Sequence, residues 1–423
     1  MGLEEFQSFP NFCEHLKDLK SLTLKERLLQ VFLEEDVMIA KDEMQRNLDW
    51  VKEDVNDILL KLKESQEQEK IKELEIMAER LGLEESDMLS LNREKKDIRF
   101  SSGFLISQNY MRTPTVDNPN ELDCLVPIII AENVEHFYTE GTVFLSSQSD
   151  TVAFSFIVLN PREVHKVFEE HVLSATSKRP IDVYRSKPNS PSVSVTLKRR
   201  TEKLHVDLVP VLQIPFSEYK HIDWPRAKTR WPSQELIAKS KETGIDLVAK
   251  EVWRPTFSRI ENILLEDIDR DGGRRKDALQ ILLRVLQERW QDFYKTLSSY
   301  HLKTVLFWAC EKHPEFTKWE TLEKSLNVLL DELIRRLESR AVPHYFLSEV
   351  NLLRSTEQLS ELLLQVTELR RDPVTYLEIQ NVFEYSPLDI GKYWYSVMNS
   401  QIRLYSRQIK FGGHVFVSSG LFE

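Results

Sequence analysis

The residues with the most chemical content are Glu121, Asp123 and Asp207. In Asn120-Glu121-Leu122-Asp123-Cys124-Leu125-Val126-Pro127-Ile128, two acids one residue apart lead into an apolar run, the pattern of a strand. Residues two apart on a strand share a face, so both carboxylates point the same way. Asp207 lies inside a second apolar run, Lys203 to Leu212, where an acid is costly unless something positive meets it. Three carboxylates from two neighbouring strands supply the hard oxygen ligands that hold Mg²⁺ together with substrate phosphates. A pair of such ions activates an attacking hydroxyl and stabilises phosphate charge. The spacing alone also fits a solvated Glu121-Asp123 loop with Asp207 in a buried ion pair, because E-x-D is common.

The elements that must position these acids follow from periodicity. From Leu24 to Glu69 apolar residues recur at threes and fours, which predicts a long helix packed along the whole body. The charged stretch Glu64 to Lys70 closes it, and a shorter solvated helix runs from Ile71 to Leu81, stopped at Gly82. Strand-like segments follow at Ile98–Phe104, Cys124–Ala131, Thr142–Leu145, Val152–Val158, Ser192–Leu197 and His205–Val211, with a helix at Pro161–Leu173. From Gln234 onward the chain reads as mostly helical, at Asp277–Lys295, Leu297–His313, Trp319–Ser339 and Ser355–Leu369. The fold class is therefore α+β, a mixed-sheet lobe followed by a helical lobe.

The Pro- and Trp-rich passage Trp224 to Ser233 marks the crossing between lobes. The expected division is an N-terminal segment 1–23, a first lobe 24–225 that includes the long helix, a helical lobe 226–371 and an extension 372–423.

Length and composition agree with two lobes, because 423 residues exceed what one core usually holds and 41% apolar with 30% charged residues is an ordinary globular balance. The three cysteines, Cys13, Cys124 and Cys310, are scattered, which excludes a disulfide framework or CxxC zinc pattern and fits a reducing compartment. The acidic start and the lack of any 18-residue apolar run predict a cytoplasmic or nuclear protein with no membrane segment. A net charge of −11 argues against an extensive grip on nucleic-acid phosphates.

Six ordered blocks resemble the Mab-21 family of nucleotidyltransferases, the group that includes cyclic GMP-AMP synthase and the cGAS-like receptors. They are Pro119-Asn120-Glu121-Leu122-Asp123, Ser190 to Leu197, Val206-Asp207-Leu208-Val209-Pro210, Trp253 to Ser258, Ser298 to Thr304, and His344 to Leu352. The resemblance covers Leu24 to Ser355 and implies a bilobed fold with a cleft. It implies that Glu121, Asp123 and Asp207 hold two Mg²⁺ ions, or Mn²⁺ in their place, with Asp207 helping to deprotonate an attacking ribose hydroxyl. Arg254 and Tyr300 would stack on nucleobases, with packing between lobes as their other reading. Ser258, Ser299 and Lys303 belong to the same nucleotide site, Ser299 against phosphate. The implied activity is synthesis of a cyclic dinucleotide, or a related short product, from ATP, GTP or other nucleoside triphosphates after ligand sensing in innate immunity. Double-stranded RNA is one candidate activator. The competing reading is a scaffold that has kept the fold and works through partners.

Three departures qualify the resemblance. The family's Gly-Ser pair has its nearest match in Ser101-Ser102-Gly103, which puts triphosphate binding in question. Asp269 to Lys276, where the vertebrate DNA sensor carries a zinc insertion, has no Cys or His, so no zinc is expected there. The long early helix is acidic, which leaves Lys198-Arg199-Arg200 and Arg274-Arg275-Lys276 as candidate contacts for a nucleic-acid activator. His301 and His313 read as core residues, as does Cys124.

Overall fold

The computed structural model describes residues 24–81, 99–106, 121–129, 134–139, 142–147, 156–177, 181–184, 191–199, 202–227, 229–249 and 251–377. The N-terminal segment 1–23, Gly82 and the extension beyond Leu377 lie outside the described residues. The chain divides into two compact units, Leu29–Arg371, and Met1–Leu28 with Asp372–Glu423. Of the second, the described part includes a short helix at Pro373–Tyr376, whose first turn is capped by the Asp372 carboxylate accepting from the Thr375 N–H.

Helix α1 spans Leu24–Leu81 without a break. The expected closure at Glu64 to Lys70 does not occur, because Glu, Gln and Lys are good helix formers and carry the helix through a charged stretch. Val51, Val55, Ile58, Leu59 and Leu62 form a fully buried stripe. At 1.5 Å per residue a helix of this length reaches about 87 Å, enough to serve as a spine. Near its start the Phe32 carbonyl accepts from Arg284, whose guanidinium also lies 3.9 Å from the Phe32 ring. Further along, Gln66 accepts from the Phe100 N–H, and Glu53 pairs with Arg199 at 2.6 Å.

Among the described residues the main sheet has eight strands: β1 (Arg99–Phe100), β2 (Leu105–Ile106), β3 (Glu121–Ile129), β7 (Asp182–Tyr184), β8 (Val193–Arg199), β9 (Glu202–Ile214), β10 (Ile245–Ala249) and β11 (Trp253–Thr256). Strands β4 (Val134–Thr139), β5 (Thr142–Ser147) and β6 (Phe156–Leu159) form a separate antiparallel meander. Its neighbour α2 (Pro161–Thr176) starts at an Asn160 cap that accepts from the Arg162 N–H.

The central pairing is β3 with β9, parallel, while β8 and then β10 pair antiparallel along the other side of β9. On β3 and β9, Leu122, Cys124, Val126, Leu204, Val206 and Leu208 are buried on one face. The opposite face carries an apolar cluster of Leu125, Val209, Val211 and Val248, and the acids lie beyond its end.

Strands β10 and β11 fall in a stretch whose composition reads as helical. They form because Val211–Ile214 offers an unpaired edge and the five-residue run Ile245–Ala249 fits it. Helix α3 (Gln234–Thr243) turns into β10 through Gly244, at φ +74°. A Cβ there would sit 2.5 Å from the Ile214 carbonyl oxygen, so only glycine fits. Both Trp-Pro bonds of the crossing passage, at Trp224-Pro225 and Trp231-Pro232, are cis.

Helix α4 (Ser258–Asp267) follows β11 and is tied back to β10 by a bidentate pair, Arg259 to the buried Asp246 at 2.7 Å to each oxygen. The helical lobe is α5 (Arg275–Glu288), α6 (Ser299–Lys312), α7 (Leu322–Glu338) and α8 (Leu359–Arg371). Its core includes Leu279, Leu282, Leu302, Leu306, Leu326, Leu330 and Leu333.

Candidate active site

The parallel register sets Asp123 directly beside Asp207, and Glu121 beside His205. Neighbouring strands lie about 4.8 Å apart and in-register residues face the same way, so the two aspartates stand side by side on one face. Glu121 stands two residues before Asp123 on β3. The side chain of Glu121 lies outside the described residues. Asp123 is exposed and Asp207 half-buried, an accessible position for two acids that apolar strand neighbours hold in place.

Ser194 on β8 is the register partner of Asp207 on its other side, and its hydroxyl donates to Asp207 Oδ1 at 2.5 Å. Thr196 and His205 repeat the arrangement one pair along, with Oγ1 and Nδ1 2.8 Å apart. Burial first, then the charges of Asp123 and Asp207, push the Cys124 thiol far above its ordinary value, so it stays protonated and inert. Ser194 and Thr196 were legible in the strict alternation of Ser192-Val193-Ser194-Val195-Thr196, whose polar positions share one face. His205, which faces Glu121 across the ladder, had no sequence signal.

Tyr300 and Lys303 lie on one face of α6 and meet Glu261 of α4. The backbone N–H groups of Phe346 and Leu347 donate to His344 Nδ1 at 3.1 and 3.3 Å, which places the ring proton on Nε2. That proton points at the Tyr300 hydroxyl 2.8 Å away, and the hydroxyl in turn donates to Glu261 Oε1 at 3.0 Å. The other Glu261 oxygen accepts from the Lys303 ammonium. Burial, set against the Glu261 charge and joined by that of Lys303, keeps the His344 pKa below its ordinary value, and burial with the Glu261 charge raises that of Tyr300. The chain of bonds fixes the Tyr300 ring. It also leaves the Lys303 ammonium buried and committed to Glu261.

The remaining candidates are dispersed. Ser258 opens α4, and its hydroxyl is buried with no hydrogen-bond partner among the described residues. Ser299 is the first residue of α6, after a capping box between Ser298 and His301. Arg254 is exposed on β11 opposite Val248. Ser101 and Ser102 are not brought alongside the acids. The Ser101 N–H donates to the Pro127 carbonyl at 2.8 Å, and Pro127 is about 13 Å along β3 from Asp123 at the usual strand rise. The Ser101 hydroxyl accepts from the Gly103 N–H at 3.0 Å. No group of three or more His, Cys, Asp or Glu side chains that could hold a metal occurs among the described residues, which do not include the Glu121 side chain.

Of the two basic clusters proposed as activator contacts, one member needs correction. Arg275 is 2% exposed, bidentate to Asp271 at 2.6 and 2.8 Å, and stacked 5.0 Å from the Trp319 ring. A buried guanidinium cannot reach a phosphate backbone. Asp269 accepts from the N–H groups of Arg275 and Lys276, both at 2.9 Å, so the segment serves as a helix start. Arg274 is held by Asp277 and Gln30, Lys198 by Asp182, and Arg199 by Glu53 and Asp54. Arg200 lies outside the described residues.

Among the described residues no helix is long and apolar enough to cross a membrane. Two family models match the chain, the Mab-21 protein nucleotidyltransferase domain over residues 110–267 and the Mab-21 protein HhH/H2TH-like domain over residues 274–368. The chain is 31% identical over 191 residues to protein mab-21-like 3 of Danio rerio, covering 44% of this chain and 49% of that protein. It is 30% identical over 224 residues to protein mab-21-like 3 of Xenopus laevis, covering 51% and 60%. A mab-21-like protein of Drosophila melanogaster is 27% identical over 319 residues, covering 67% and 84%. The matched stretch thus spans about half to three-fifths of the two vertebrate relatives. With the nucleotidyltransferase domain followed by the C-terminal domain in one chain, and relatives that bear the same name, the chain belongs to the Mab-21 family.

Proposed function

We propose that the protein is a metal-dependent nucleotidyltransferase that joins nucleoside triphosphates into a cyclic dinucleotide or related short product, a second messenger made on ligand sensing in innate immunity. The observation that carries this reading is the register of Asp123 with Asp207, two hard-oxygen donors side by side on adjacent parallel strands, with Glu121 two residues along β3 from Asp123. Such a donor set suits Mg²⁺ or Mn²⁺ and does not suit zinc, which favours nitrogen and sulfur ligands. Glu121, Asp123 and Asp207 would hold the ion pair. Bound there, the ions neutralise the phosphate charge and acidify the attacking hydroxyl.

The chain's own part is positioning, as is usual for transfer at phosphorus. The Ser194 hydroxyl holds Asp207 Oδ1, leaving Oδ2 as the oxygen that takes the proton of the attacking ribose hydroxyl. The hydroxyl oxygen bonds to the α-phosphorus while the bond to the departing pyrophosphate breaks. Tyr300, held by Glu261 and His344, offers a ring of fixed orientation to a base, and exposed Arg254 a planar guanidinium. Ser258 brings an unpartnered hydroxyl, and Ser299 a hydroxyl for phosphate at the start of α6.

A second reading, a Mab-21 scaffold without turnover, is favoured by two specific observations. Ser101 lies beside Pro127 and away from the acids, and the Lys303 ammonium is committed to Glu261. Incubation with labelled ATP, GTP, CTP and UTP and Mg²⁺ or Mn²⁺, with and without duplex RNA or DNA, separates the two. A metal-dependent linked product supports the enzyme, and none under any combination supports the scaffold.

A further inference from the structure

The helical lobe holds a polar cavity of about 480 Å³, lined by Arg230, Trp308, Lys312, Glu332, Arg335 and Arg336 among others. That volume lies within the range of small-ligand sites. It is built from α6, α7 and the segment before α3, so it shares no element with the acids on β3 and β9.

Cations outnumber carboxylates around it. Glu332 is 2% exposed and serves three of them: Lys312 at 3.3 Å, Arg336 Nε at 2.8 Å, and Arg335 through Nε at 2.9 Å and one terminal nitrogen, which leaves the other terminal nitrogen of Arg335 for a ligand. The Glu311 Oε2 is taken by Arg226 at 2.8 Å and by the Tyr345 hydroxyl at 2.9 Å. Glu315 faces His313 at 3.6 Å. Arg230 is exposed and has no ion-pair partner among the described residues. Burial lowers the pKa of Arg336, with smaller contributions from the charges of Arg335 and Arg226, despite Glu332.

One wall of the site is fixed in place. Arg226 and Arg336 lie 4.0 and 4.8 Å from the centre of the Trp308 ring, and the indole N–H is fixed on the Pro343 carbonyl at 2.8 Å. With two guanidiniums already against the indole, the site does not select a flat base. Exposed guanidinium and ammonium groups beside this wall suit tetrahedral oxyanions.

We propose that this cavity is a second ligand site, which binds a compact phosphate-bearing anion through Arg230, Lys312 and Arg335. The test is calorimetric titration of the full chain with inorganic tripolyphosphate in EDTA, which removes the metals that would let the β3–β9 acids hold phosphate. Sulfate at equal ionic strength is the reference. Saturable binding stronger than that of sulfate is expected, weakened about tenfold by Arg230→Ala and again by Arg335→Ala, and unchanged by Lys239→Ala. Arg230 has no ion-pair partner among the described residues, so Arg230→Ala decides the matter even where Arg335→Ala unfolds the protein. Binding no stronger than that of sulfate, or unaltered in folded Arg230→Ala, would overturn the proposal.

Discussion

Replacing Lys303 by Met leaves Glu261 buried and charged, with the Tyr300 hydroxyl as its remaining partner in that network. The two side chains are 9% and 4% exposed, so water cannot replace the lost ammonium. Removing one member of such a pair costs about 3–5 kcal/mol, because the partner's desolvation is no longer compensated. The Tyr300 hydrogen bond survives and puts the expected loss toward the low end, about 3 kcal/mol, or roughly a hundredfold in the folded-to-unfolded ratio. The assay is urea unfolding followed by tryptophan fluorescence. Glu261→Gln keeps an acceptor for Tyr300 without the charge, so the double variant with Lys303→Met should recover much of the loss, and a double-mutant cycle reads the coupling directly. An unfolding midpoint unchanged in Lys303→Met would refute the assignment and return Lys303 to the nucleotide site.

Three further outcomes follow from the same geometry. Burial lowers the pKa of His165, His171, His301 and His344 from the ordinary 6.5, so the folded chain binds fewer protons than the unfolded one. Their contribution to stability is present above that value and is lost as pH falls through it, which a comparison of urea midpoints at about pH 7.5 and 5.5 should register. Arg275→Met should unfold the α5 end of the helical lobe, seen as lost thermal stability of about 3–5 kcal/mol, so charge-reversal tests of duplex binding should leave Arg275 in place. Ser194→Ala should lower turnover about tenfold, by freeing Asp207, while shifting stability by no more than about 1 kcal/mol.

The parts of the fold that sequence revealed are those with a strong local period. Strand β3, the middle of β9, α2 and the helices of the second lobe fall where apolar spacing put them, because each hides one face or stripe. Strands β10 and β11 were illegible: their identity depends on a free edge of β9 more than thirty residues earlier, and Ile245–Ala249 alone has no period to read. The continuity of α1 through Glu64 to Lys70 was hidden by treating charge as punctuation. At the candidate site the three acids were visible as acids in apolar runs, and the parallel register that aligns Asp123 with Asp207 was not. Glu261 and His344 were invisible as partners of Tyr300, because a buried polar network joins residues far apart in sequence. Arg275 misled for the same reason, since adjacency in sequence says nothing of Asp271 and Trp319 closing over it.

The most direct measurement is metal-dependent product formation from labelled nucleoside triphosphates by the wild-type chain and by Asp207→Asn, with the melting temperature of each recorded. The amide keeps the shape of the side chain and loses the charge that would hold metal and take the proton. A linked product is expected from the wild type and none from Asp207→Asn, with melting temperatures that stay close. Product from Asp207→Asn at the wild-type rate would contradict this, as would a wild-type chain that yields none with any triphosphate, metal or duplex.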